Sequence, residues 1–283
     1  MEQILHIVLK YFLTVLIATG TQLFILFGPL LVLSFLMNYI ANMSERLSYN
    51  VFGRTMYLYV FGWLGTSVHE LGHALFAVLF AHKINDIVLF SPNAEGSSLG
   101  HVNHSYDKKS IYQNIGNFFI GIGPIILGSM TLFLFTYLLY QFNITTLSVT
   151  INTDIFLNFE SVKIMLIQLW HSVNQYLQFV LFGHQSTWWR ITLLVYCLYA
   201  IGSSITLSPA DLKSALKGFV FFVIVLTLFN LLTIWIGNFA QSAFLKVSSY
   251  FSVLYFLLIL SMIVNLIFIV VLLILNAIKS VFV

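Results

Sequence analysis

SVHELGHALF, residues 67–76, places two histidines and a glutamate inside a run that is otherwise apolar from about 56 to 82. A charged group within a membrane costs about 2.5–3.5 kcal/mol even on insertion scales, so such groups face a protein interior and mark function. His69 and His73 stand four residues apart, which stacks them on one face of a helix. Two imidazoles at that spacing chelate one zinc ion, and Glu70 then stands beside the metal as a general base. Such an ion lowers the pKa of water, and the carboxylate takes the proton so that hydroxide attacks a carbonyl. With eight His and five Glu in 283 residues, random placement yields about 0.004 copies of H-E-x-x-H. The bland alternative, in which His69 and Glu70 only pair with each other or with a neighbouring helix, leaves that rarity unexplained.

The surroundings of the motif set the fold class. The chain is 60% hydrophobic and only 7% charged, against roughly 25% charged residues in soluble domains. A deficit spread over the whole length describes an all-α polytopic membrane protein whose solvent is the lipid bilayer. A net charge of +3 with no basic run excludes nucleic acid as a partner. The single cysteine, Cys197, rules out an internal disulfide and a zinc site built from several cysteines. The N-terminal apolar stretch is longer than the usual signal-peptide core of about 7–15 residues and reads as retained.

At about 20 apolar residues per crossing, the sequence predicts six spans, at about 11–42, 56–82, 113–141, 191–208, 212–237 and 250–277, in one membrane-embedded domain over 1–283. A polar loop is expected at 43–55. Residues 83–112 change character, with strand-like runs at 84–90 and 99–104 around turn residues, and predict a β-hairpin-like loop. In the intervening segment 142–189, residues 160–182 are amphipathic. Gln168, His171, Gln175 and Gln178 lie opposite Leu166, Trp170, Val173, Leu177 and Leu181, which suits a helix in the interface or a seventh, polar-lined span. Lys and Arg number seven in the N-terminus, 83–112, 209–217 and the C-terminus and five elsewhere, which favours both termini in the cytoplasm.

A catalytic zinc takes three protein ligands and keeps one position open. Asp211 is the expected third ligand, being the only acidic residue after Glu160 and following the helix-breaking pair Ser208-Pro209. SPAD is equally a helix start, with Ser208 as N-cap and Asp211 completing a capping box, and the two roles are compatible. His101 and His104 are rival ligands, and His101 is also a candidate pocket residue. In the third span Asn114, Asn117, Gly121, Pro124 and Gly128 form a small and polar stripe, on which the two asparagines are expected to line a wet pocket.

HELGH within a span, the short β-loop after it, IGIGPIILG in the next span and a later LSPADLK together resemble the site-2 protease family of intramembrane zinc metallopeptidases. The resemblance covers 56–141 and 191–217, and SPAD stands where better-known members carry an L-D-G or N-P-D-G motif. No PDZ-like or CBS-like domain accompanies it, which matches compact, divergent members. It implies a catalytic core over about 56–141 and 191–237, one Zn²⁺ on His69, His73 and Asp211, Glu70 as base, and membrane-anchored proteins as substrates. It also implies that the hairpin pairs with an unwound substrate strand. A catalytically silent scaffold of the same fold, or a metal-handling transporter, is the alternative. The first is expected to lose Glu70 or a histidine, and the second to show the inverted repeat common in transporters; neither holds here.

Overall fold

The computed structural model describes residues 1–92, 99–142, 159–237 and 239–282. Among them the chain forms α1 (Glu2–Phe52), α2 (Arg54–Tyr57), a π-helical turn (Leu58–Gly62), α3 (Trp63–Leu79), β1 (Lys83–Val88), β2 (His101–Ser105), α4 (Ile111–Tyr140), α5 (Phe159–Phe182), α6 (Trp188–Ala200), a 3₁₀ turn (Gly202–Ser204), α7 (Pro209–Thr233) and α8 (Phe239–Phe282). The architecture is all-α apart from the hairpin.

Among the described residues four helices are long and apolar enough to cross a membrane: α1, α4, α7 and the Lys246–Ser280 part of α8. Their outward faces carry large apolar side chains, Phe35 being 77% exposed, as lipid-facing surfaces do. The other two expected spans are helical but short. α3 has 17 residues and α6 has 13, below the ~20 that a crossing needs. α2, the π-helical turn and α3 follow one another without a break over Arg54–Leu79, whereas α6 passes into a 3₁₀ turn.

The polar loop expected at 43–55 is instead the end of α1, which continues unbroken through Pro29 to Phe52. Its polar residues find partners that keep them helical. Ser44 and Ser48 share the buried Tyr199 hydroxyl at 2.8 and 3.0 Å, and the Tyr49 hydroxyl donates to Glu45. Lower on the same helix Asn230 of α7 donates to Thr19 at 2.9 Å and to Gln22 at 2.8 Å, a closed polar clasp between α1 and α7.

The amphipathic segment is α5, and its packed stripe is Val173, Tyr176 and Val180. Trp170, Leu166 and Leu181, expected on that face, point outward. The stripe turns toward α4, where Thr136 meets the Tyr176 hydroxyl at 3.2 Å and Phe142 packs on Phe179 at 4.6 Å. The expected interfacial residues 143–158, and the turn at 93–98, lie outside the described residues.

Two close helix approaches position the site. A Cβ on Gly72 of α3 would lie 2.7 Å from Pro124 Cα of α4, and one on Gly121 of α4 would lie 2.7 Å from the Asp211 carbonyl and Ala215 Cβ of α7. Only glycine lets these backbones come so near. α3 then ends in a Schellman arrangement. Ala81 sits at φ 56°, its N–H donates to Val78 O at 3.0 Å, and the His82 N–H donates to Ala77 O at 2.8 Å. That reversal sends the chain straight into β1, which pairs antiparallel with β2, Lys83 opposite Ser105 and Val88 opposite His101.

Candidate metal centre

The helical spacing of His69 and His73 puts both rings on the α3 face that looks toward α4 and the start of α7. Each ring is aimed by a backbone carbonyl: His69 Nδ1 lies 2.7 Å from Ser204 O and His73 Nδ1 lies 2.8 Å from Ile120 O. A carbonyl only accepts, so both Nδ1 atoms carry the proton and both Nε2 atoms present lone pairs. The source of each carbonyl is local. Pro124 has no N–H to give to Ile120 O four residues earlier, and Ser204 O lies at the 3₁₀ turn where α6 breaks before α7.

The two Nε2 atoms are 3.2 Å apart. Asp211 reaches the same point, Oδ1 being 3.2 Å from His73 Nε2 and Oδ2 3.8 Å from His69 Nε2. With both imidazoles neutral, three lone-pair donors converge here, and a cation among them relieves their mutual repulsion. Tetrahedral ligands at zinc bond lengths of 2.0–2.2 Å lie about 3.3–3.6 Å apart, and one ligand atom from each of the three residues lies within 4.8 Å of the others here. Nδ1 donation to carbonyls is also the usual support of metal-bound histidines. His69, His73 and Asp211 therefore fit a single metal ion.

Asp211 caps α7 and at the same time faces the two histidines. Its backbone N–H donates to Ser208 Oγ at 3.1 Å, and the Ser208 N–H donates to Asp211 Oδ2 at 3.0 Å, a complete capping box with Pro209 in the first turn of α7. Capping fixes the carboxylate at the helix end while Oδ1 faces His73.

A cleft of about 380 Å³ opens on this triangle and is lined by Glu70, Gly100, His101, His104, Ser208 and Ser214 among others. Glu70 is 8% exposed and lies outside the donor triangle within the same cleft. The residue just before β2 closes over it: a Cβ on Gly100 would lie 2.7 Å from Glu70 Cγ. His101 lines the cleft but its Nε2 is 2.7 Å from Asp86 Oδ2, and that hydrogen bond holds the Asp86 carboxyl below the ordinary carboxylate range. The rival ligands His101 and His104 both stay out of the triangle.

Asn114 and Asn117 are placed differently from the expectation. Both are buried and neither lines the cleft. Asn114 Nδ2 donates to Lys108 O at 2.8 Å and Ser110 O at 2.7 Å, and Asn117 Nδ2 donates to Asn114 O at 3.4 Å. They secure the first turns of α4, and Gly121, one turn further along their stripe, is the member that reaches the cleft. The contributions of Ser204, Ile120 and Gly100 have no side-chain signature in the sequence; Pro124 was the readable sign of a freed carbonyl.

Comparison with protein-family models, with curated proteins and with solved structures finds no match to this chain.

Proposed function

We propose that the chain is an intramembrane zinc metalloprotease of the site-2 protease kind, a hydrolase that cuts peptide bonds of membrane-anchored proteins. The observation that carries this is the closure of His69, His73 and Asp211 into one donor triangle with Glu70 beside it in a single cleft. A zinc ion held there supplies a Lewis acid to water and to the scissile carbonyl. Glu70 takes the proton from the attacking water and delivers it to the leaving amine. Ser204 and Ile120 keep the two imidazoles turned inward throughout. Asp211 holds its place through the cap on α7.

A substrate helix encloses its carbonyls in its own hydrogen bonds and must unwind before hydrolysis. The β1–β2 hairpin stands at the cleft mouth, and adding a strand to its edge satisfies the freed backbone. Arg54–Leu79 and 188–207 complete six crossings in this reading, with both termini cytoplasmic.

The test is zinc per chain and cleavage of a membrane-tethered reporter in reconstituted vesicles. Glu70→Gln keeps the metal and abolishes cleavage. Asp211→Ala weakens metal binding and cleavage together. Cleavage that survives Glu70→Gln, or a wild-type chain that takes up no zinc, overturns the proposal.

A further inference from the structure

Behind the cleft lies a second pair of histidines, which the ligand triangle does not use. His82 Nδ1 and His104 Nδ1 are 2.9 Å apart, and His82 Nε2 lies 2.8 Å from Gln113 O. The carbonyl accepts, so His82 carries its proton on Nε2 and presents a bare Nδ1. His104 must then donate through Nδ1–H, which leaves its Nε2 without a proton. Tautomers are thus set in sequence, from a backbone carbonyl on α4 through one ring to the next.

Burial favours the neutral form of both rings. Burial lowers the pKa of His82 against the weaker opposite effect of the Gln113 carbonyl, and burial followed by the neighbouring His82 lowers that of His104. His82 is 5% exposed, and Tyr106 stacks on it at 5.0 Å and 17°. His82 does not line the cleft, whereas His104 does. With the Nδ1 edge of His104 turned to His82, the edge left for the cleft carries Nε2.

We infer that His104 Nε2 is a substrate-binding acceptor that takes a hydrogen bond from a backbone N–H of a peptide lying in the cleft, with His82 and Gln113 as the positioning residues that keep it bare. This rests on the protease reading and deepens it, because an extended peptide offers N–H groups that a helical one has already spent. The preset tautomer makes the acceptor available without a proton having to leave first.

Two measurements test it. Nitrogen-15 spectra of ring-labelled histidines in the purified full chain, assigned with His82→Gln and His104→Gln, read the tautomers directly. His104 protonated at Nδ1 and His82 at Nε2 is the expected result; His104 protonated at Nε2 overturns the inference whether or not any peptide is cut. In the reporter assay His104→Asn keeps an amide donor at the Nδ1 position and removes the Nε2 acceptor. KM should rise about 3- to 10-fold with kcat nearly unchanged, the signature of lost ground-state binding. His104→Gln, whose amide oxygen reaches the Nε2 position, should restore most of the affinity. Unchanged KM in His104→Asn sinks the inference while leaving the protease reading intact, and a wild-type chain that cuts nothing sinks that reading while the spectra still decide the tautomer.

Discussion

Pro124 sits one helical turn beyond Ile120 and, having no amide hydrogen, leaves the Ile120 carbonyl to His73, whose Nδ1 lies 2.8 Å away. Pro124→Ala supplies an N–H that competes for that carbonyl. The imidazole then loses part of its orientation, and zinc affinity is expected to fall about tenfold, the lower end for loss of a partner behind a metal ligand. Chelator competition on the purified chain measures it. Unchanged affinity would mean that packing of α3 on α4 alone orients the ring.

Gly121 faces the Asp211 carbonyl and Ala215 Cβ at 2.7 Å from its own would-be Cβ. Gly121→Val forces α4 and α7 apart and draws the carboxylate away from the two imidazoles. Overpacking of this sort costs about 1–3 kcal/mol. Lower zinc content per chain and a lower unfolding temperature in detergent are expected together, whereas Gly20→Val, where nothing lies within 4 Å, should alter neither.

How much of this could be read from the sequence depended on what each residue exposes to reading. The H-E-x-x-H spacing, the hairpin and the capping box of Asp211 follow from side-chain chemistry and local rules, and the structure brings His69, His73 and Asp211 together. The carbonyls of Ser204 and Ile120 carry no residue signature, and only the proline opposite one of them left a trace. Asn114 and Asn117 misled because a buried amide near a helix start is as well satisfied by Lys108 and Ser110 carbonyls as by a wet pocket. The expected spans at 56–82 and 191–208 differ from the four long helices in being divided by turns. Hydropathy measures apolar length, and it does not register the π-helical turn before α3 or the 3₁₀ turn after α6.

Ala81 holds a left-handed conformation, φ 56°, where α3 turns into β1. A Cβ there costs about 1–2 kcal/mol relative to glycine. Ala81→Gly relieves this and loosens the unfolded chain, so a net gain of roughly 0.5–1 kcal/mol is expected. Thermal or denaturant unfolding of the purified chain checks the sign, and a loss of stability would show that the alanine methyl packs usefully.

The neutral pair His82 and His104 gives the hairpin a pH dependence of definite sign. Both folded-state values lie below the ordinary 6.5, so the unfolded segment binds more protons as pH falls through that value. Their contribution to stability is complete above about pH 6.5 and is lost on acidification toward the folded values. Protection factors at 83–88 and 101–105, taken relative to the intrinsic exchange rate at each pH, should therefore fall between neutral and mildly acid pH, and His82→Gln should flatten the change. Protection that stays constant over that range contradicts the neutral pairing.

Because one carboxylate both closes the capping box on Ser208 and faces His73, the winding of the first turn of α7 and the assembly of the donor triangle are a single event. Fraying of that turn would disarm the centre without disturbing either histidine, so the state of a helix end acts as the latch on its chemistry.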